Sequence, residues 1–451
     1  MSASTLSASA QPALSLPATT DPRIAQHEAW TKFTILAASA LAILPSAAVA
    51  PALPALQAYF TALPDSTGSH WAQWFPFFLS LPSLAILLGS VPAGYLSDRW
   101  GRRPLLLGSL LLFIGSGSAG MFLTQLPWLF ATRITLGFAV AGAMTPLIAL
   151  VGDYFNDRTR AVLLGWQSGS IGLAGVLVSG ASGVLADWNW RFCFALYSIP
   201  LLLLPLVWWY LPEPDAQKRD CPKTIVPASD LSKADPSTEE LSQGSDRRGS
   251  VPWKTLITIY GIETLHMVCL FVTPVQLPFY FQQRLGLPAI LSGSAIGALS
   301  LTQAITSLLY NQVRQRLQLN FWGIVGLAFG LASLGSSVIA IAPNAVVFLC
   351  GLGVTGCGFG LLYPNSKLWI TEIVPQASRG RALGGLVAAF DLGVFLSPFF
   401  SQSLVQFWGL PLTYEAVSLA LVSLGSVSLF QLQAVSRPQS SAHLSAPGSD
   451  N

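Results

Sequence analysis

The sequence predicts an all-α membrane protein in which twelve spanning helices form two pseudo-symmetric six-helix bundles. Three observations carry the prediction. The chain is divided into a dozen strongly apolar stretches, each about long enough to cross a bilayer. Its composition is 52% hydrophobic and only 10% charged, with a mean hydropathy of +0.57. Its second half repeats polar landmarks of the first at equivalent places. A hydrocarbon core of about 30 Å needs about 20 apolar residues in a helix. Lipid offers the backbone no hydrogen-bond partners, so a crossing segment must satisfy its own and be helical. Soluble domains carry about 25% charged residues, so the shortfall here matches removal from water.

The elements follow in order. Residues 1–32 are rich in Ala, Ser and Pro and read as a disordered cytoplasmic tail, with no cleaved signal peptide. The first bundle, 33–211, holds spans at 33–56, 74–97, 104–124, 127–151, 161–185 and 191–211. Its first span leaves the membrane through Ala50-Pro51-Ala52-Leu53-Pro54. Its fifth carries Gly165, Gly169, Gly172, Gly175, Gly180 and Gly183, small residues that let helices approach closely, whether to slide or simply to pack. Residues 212–253, rich in charge, Ser and Pro, cannot bury enough apolar surface to fold and read as a cytoplasmic linker. The second bundle, 254–432, holds spans at 254–279, 289–311, 319–341, 344–369, 382–404 and 411–432. Residues 433–451 read as a second cytoplasmic tail.

The halves echo each other. Arg158-Thr-Arg160-Ala161 after the fourth span is matched by Arg379-Gly-Arg381-Ala382 after the tenth. Gly94-x3-Asp98-x4-Arg103 after the second is matched by Ser307-x3-Asn311-x4-Arg316 after the eighth. Parallel six-helix repeats about an axis along the membrane normal are a transporter architecture. With the N-terminus inside, the inner loops collect most of the basic residues, and the outer loops hold only Arg191 and Arg284. This asymmetry places both termini in the cytoplasm.

Several function classes are excluded. The formal charge of +3 is spread over short loops, so no nucleic-acid partner is expected. The five cysteines form no CxxC, and the four histidines no HExxH; neither a metal site nor a cofactor is implied. No lysine follows a glycine, which rules out the usual phosphate loop for ATP. No catalytic constellation emerges, so an enzyme is not expected. The energy source is then an ion gradient.

The turn between the second and third spans reads Gly94-Tyr-Leu-Ser-Asp98-Arg99-Trp-Gly101-Arg102-Arg103. Gly94 allows close helix approach. Asp98 at a helix end can accept hydrogen bonds from the positive N-terminus of another helix, for which the start of the eleventh, near Ala382, is the candidate. The pattern resembles the loop 2–3 signature of the major facilitator superfamily, G-x-L-x-D-R-x-G-R-[RK]. Arg133-x-x-Leu136-Gly137 is similar to its fourth-helix R-x-x-Q-G, with Leu136 in place of Gln. The resemblance covers about residues 33–432. It implies that Arg102 pairs with Asp153, and that Gly94, Asp98, Arg102, Arg103 and Asp153 form a cytoplasmic gate, locked while the carrier opens outward. It also implies a monomer in a bacterial inner membrane. Residues 358–365 and 379–384 look like drug and metabolite efflux members.

Charges within the membrane need explanation, because each costs at least about 2.5–3.5 kcal/mol at mid-bilayer. Glu263 lies nine residues past Lys254, about 13 Å deep at 1.5 Å per residue, and shares a face with His266. Asp391 lies ten residues past Arg381 at similar depth, and Arg133 one to two turns inside the fourth span. Glu263 is the candidate proton-coupling carboxylate, with His266 as a relay; an inter-helix tether is the alternative. Asp391 and Arg133 are candidates for coupling or for the substrate cavity. Lys367 and Glu372 sit near the cytoplasmic end of the tenth span, within reach of the headgroups. The expected function is proton-coupled efflux of small organic molecules by alternating access, an antiport. Uptake of a metabolite such as a sugar or organic acid is the alternative, and a non-transporting receptor a remote one.

Overall fold

The computed structural model describes residues 24, 26–62, 74–213, 252–375 and 378–436. The body of the expected linker and most of both expected tails lie outside the described residues. The described chain is helical, and ten stretches are long and apolar enough to cross a membrane. In chain order the helices are α1 (Glu28–Thr61), α2 (Phe75–Trp100), α3 (Arg102–Ala119), α4 (Leu126–Tyr154), α5 (Asp157–Trp188) and α6 (Trp190–Tyr210). After the linker come α7 (Trp253–Arg284), α8 (Ala289–Leu317), α9 (Phe321–Ala340) and α10 (Ala345–Ile373). The stretch Arg379–Ser436 breaks at Gly409, whose φ of 76° no helix accommodates. It forms α11 (379–408) and α12 (410–436).

Several helices outrun the spans read from hydropathy, because the apolar window marks the lipid-crossing part and polar caps extend it. Asn156 caps α5 by accepting from the Thr159 N–H at 3.0 Å, so that helix starts at Asp157 rather than 161. Asn320 and Asn344 cap α9 and α10 in the same way. α8 continues to Leu317 and stops where Gln318 turns left-handed at φ 50°.

Three helices depart from regular winding, α7 by a π turn at Tyr280–Arg284. α6 is wound as a 3₁₀ helix over Trp190–Leu202. α1 was expected as one span over 33–56 and is instead broken by 3₁₀ turns at Ala40–Ile43 and Ala50–Ala52. Val49 and Ala52 turn their N–H groups to Ser46 O and Val49 O, which leaves the Pro45 and Ala48 carbonyls out of the α ladder. Each of three carbonyls in this stretch receives a side chain from a different helix. Tyr197 of α6 donates to Pro45 O at 3.2 Å, Ser182 of α5 to Ala48 O at 2.6 Å, and Gln282 of α7 to Pro51 O at 2.7 Å.

Packing separates the helices into two groups. In the first, α4 lies against α2 and α3, and α6 against α3. In the second, α7 packs on α11, α10 on α8 and α9, and α9 on α12, where Ser333 and Ser418 exchange hydrogen bonds. The groups meet along α5 and α8, α2 and α11, and α1 and α7. The repeat is visible in α4 and α10. Both have 29 residues, and the penultimate residue of each, Asp153 or Glu372, pairs with an arginine, Arg102 or Arg314.

Candidate functional site

Acidic and basic groups gather at two levels. The deeper level belongs to the second bundle. Glu263 and His266, one turn apart on α7, are both fully buried, and His266 Nδ1 lies 3.1 Å from Glu263 Oε1. Glu263 Oε2 and His266 Nε2 have no hydrogen-bond partner among the described residues. The imidazole lies against Phe359 of α10, with ring centroids 5.0 Å apart. One turn along α10, Tyr363 is within electrostatic range of both Glu263 and Asp391, and its ring meets Phe390 at 5.8 Å. Asp391 of α11 is buried and lies near Ser83 of α2, in the other bundle. A buried carboxylate–imidazole pair with one open atom on each partner can hold a single proton at little cost, whereas a net charge there would be expensive.

The second level is the turn from α2 to α3. Gly101 makes it at φ 101°, and a Cβ there would lie 2.9 Å from Glu213 Oε1. The Glu213 carboxylate accepts the backbone N–H groups of Arg102 and Arg103 at 2.8 and 2.7 Å, which places a negative charge on the positive end of α3. The Arg102 guanidinium bonds Asp153 and, at 2.9 Å, Ala149 O of α4. That of Arg103 stacks on Trp208 of α6, 4.5 Å from the ring centre, and donates to Trp208 O. The turn is thus clamped to α4 and α6 of its own bundle.

Arg133 stands apart from both levels. It is fully buried within the first bundle, among the rings of Phe78, Phe194 and Tyr197 at 5.0–5.2 Å. It donates to Tyr197 Oη at 2.9 Å, and through that hydroxyl it braces the broken part of α1. The rings that enclose it come from α2 and α6.

The two ends of the molecule differ. At the end opposite the α2–α3 turn the bundles touch. Asp187, at the close of α5, accepts the first N–H groups of α8 from Ala289 and Ile290 at 2.6 and 3.0 Å. Phe77 of α2 meets Phe399 of α11 with centroids 4.5 Å apart, and Gln282 reaches Pro51 O. At the α2–α3 end, Asp98 is exposed and has no hydrogen-bond or ionic partner among the described residues. No atom comes within 4 Å of a Cβ built on Gly94, nor on Gly380 or Gly384 of α11. The Ala382 carbonyl is taken by Tyr260 at 2.8 Å. At this end, then, Asp98 and the start of α11 are not joined across the bundle boundary.

Of the residues singled out from sequence, Arg102 and Asp153 come together, as do Glu263 and His266, with Asp391 in range of the same tyrosine. Gly94 and Asp98 face open space. Sequence reading missed Glu213 and Asp187, whose partners are backbone N–H groups of distant helices.

The sequence pattern of the Major Facilitator Superfamily matches residues 35–398. The chain is 24% identical over 341 residues to the probable metabolite transport protein CsbC of Bacillus subtilis, covering 68% of this chain and 71% of that one. It is 25% identical over 401 residues to the uncharacterized transporter YebQ of Escherichia coli, covering 80% and 85%. The crystal structure of a D-xylose-proton symporter has the same fold, with a TM-score of 0.66 at 21% identity, covering 88% of this chain and 96% of that one.

Proposed function

The chain belongs to the major facilitator superfamily, and on that premise we propose that it is a proton-driven carrier of small organic molecules working by alternating access. It is a multi-pass membrane transporter and not an enzyme. The observation that carries the proton reading is the buried Glu263–His266 pair, with one unsatisfied atom on each side. Helix α7 lies at the boundary between the bundles, touching α1. Small shifts of that boundary give the pair access to one face or the other. Asp391, near Ser83 across the boundary, is the second carboxylate that such a shift would disturb.

The gate reading rests on the clamped turn. Glu213, Arg102 and Asp153 hold it rigid and leave Asp98 at the free end of α2. Asp98 engages the N-terminus of α11 only when that end closes, so its exposure here fits the unlocked half of the cycle. We assign the α2–α3 end and both termini to the cytoplasm of a bacterial plasma membrane, from the distribution of arginine and lysine, and take the carrier as a monomer. Export of the cargo in exchange for protons is the direction supported by the sequence of α10 and α11. Uptake of a metabolite is the second reading, favoured by the similarity to CsbC, which is named a probable metabolite transporter.

The test uses reconstituted vesicles with an imposed pH step and a panel of radiolabelled compounds. Glu263→Gln is expected to abolish movement against a gradient while leaving exchange between equal pools intact. A mutant that still accumulates or expels substrate uphill like wild type removes Glu263 from the coupling role. The sign of the flux under an inward proton gradient decides between export and uptake.

A further inference from the structure

A cavity of about 210 Å³ lies in the second bundle, at the end where the bundles touch. Its walls come from three breaks in regular winding. These are the π turn of α7, the turn from α9 to α10, and the start of α12 just past the Gly409 kink. Among the described residues, none of the first bundle lines it, so it stands apart from the bundle boundary. The π turn forms one side. Leu285 N–H reaches Tyr280 O at 3.2 Å, and Leu287 N–H reaches Phe281 O at 2.9 Å. All four of these residues line the cavity. Between them, Gln282 donates across the boundary to Pro51 O at 2.7 Å. One wide turn of chain thus joins the cavity to a contact that holds the bundles together.

The lining sets the chemistry of an occupant. An apolar cavity of about 150 Å³ admits a benzene ring, so this one takes a single ring with a short substituent. Phe281, Phe348 and Tyr414 stand in a row, with centroids 5.2 and 6.4 Å apart, and rings pack well by edge and offset face on another ring. None of the lining residues is charged, so an ionised ligand would lose its water without a partner. The Tyr414 hydroxyl is taken by Thr273 at 2.8 Å, whereas that of Tyr280 has no hydrogen-bond partner among the described residues. We propose that this cavity binds a neutral one-ring phenol, hydrogen-bonded to Tyr280, and that occupancy holds the π turn and keeps Gln282 on Pro51. A filled cavity leaves the wide turn no room to tighten to α winding, which would rotate Gln282 away. The phenol is then an effector that favours the form joined at this end. The binding site needs nothing from the proton reading, and only the effect on the cycle rests on alternating access.

The experiment follows 4-fluorophenol by fluorine NMR against the full chain in phosphatidylcholine nanodiscs at neutral pH. Protein-free nanodiscs subtract partition into lipid. Saturable binding is expected, about tenfold or more tighter than that of 4-fluorobenzoate. Tyr280→Phe is expected to weaken it about fivefold, the worth of one hydrogen bond. Ala342→Trp fills the cavity from the α9–α10 turn and abolishes binding, with melting temperatures confirming that both variants fold. Binding no greater than in protein-free nanodiscs overturns the site, and would leave the cavity to water or an acyl chain. Equal binding of the benzoate, full affinity in Tyr280→Phe, or binding that survives Ala342→Trp does the same. The coupling is read from maleimide labelling of Phe399→Cys in a background lacking native cysteines. The phenol is expected to slow labelling about fivefold, and Gln282→Ala to remove that effect while leaving binding intact. A rate indifferent to the phenol, or a slowing that persists in Gln282→Ala, overturns the coupling. If the phenol binds and slows labelling while Glu263→Gln transports uphill like wild type, the proton reading fails and this one stands.

Discussion

Glu213 shows what one side chain can fix in this protein. Its two oxygens take two consecutive N–H groups at the head of α3, and Gly101 must lack a Cβ for that carboxylate to approach. The left-handed φ adds a second reason for glycine, since an L-residue there costs about 1–3 kcal/mol. Gly101→Ala is therefore expected to lower the melting temperature of the purified protein and to weaken the Arg102–Asp153 clamp. An unchanged melt would mean that the turn is not held by these contacts. The Arg102–Asp153 pair was legible beforehand because the turn resembles a family signature that implies it. Glu213 was not, because a single acid at the edge of a polar linker gives no local signal of the helix it caps. Arg133 was legible only in part. Hydropathy marks a charge in a span, but the rings that enclose it come from helices distant in sequence.

At the scale of elements, helix existence and order were legible from the apolar period, and helix continuity was not. The prolines of α1 read only as the exit of a single span, because the break depends on Ser182, Tyr197 and Gln282 arriving from other helices to take its carbonyls. The same holds for α8, whose first N–H groups are satisfied by Asp187 from the other bundle. An N-terminal cap is worth about 1 kcal/mol, equivalent to about a fivefold shift in a two-state population. Asp187→Ala is expected to populate the form open at that end by about this factor. The measurement is the labelling rate of a cysteine at position 399 with a membrane-impermeant maleimide, in a background lacking native cysteines. A rate equal to that of the parent would show that the cap does not hold the bundles together.

At the scale of the whole molecule, two acids stand at opposite ends in related roles. Asp187 is engaged across the bundle boundary, and Asp98 is free. On the reading proposed above, this asymmetry is one of the two states between which the carrier alternates. Asp98→Asn is expected to insert normally, to slow interconversion and to favour the form open at the α2–α3 end. Combined with Asp187→Ala, the two biases oppose, and populations return toward wild type because sites so far apart act additively. Spin-label distances across each end would report it, and a double variant more biased than either single one would rule out a shared equilibrium. The internal repeat was readable as spacing in the sequence. Which end is joined was not, because it depends on contacts between halves that share no local pattern.

The seam of α5 and α8 has a consequence for descent. The two helices meet through Gly172 on Ala304, Gly175 on Ser300 and Gly183 on the main chain of Ile290, so at these points the bearing that the proposed function requires is made of small side chains and backbone. The groups that would choose a cargo project from α7, α10 and α11. A lineage can therefore trade one nutrient or toxin for another by changing those faces alone, and inherit the bearing untouched.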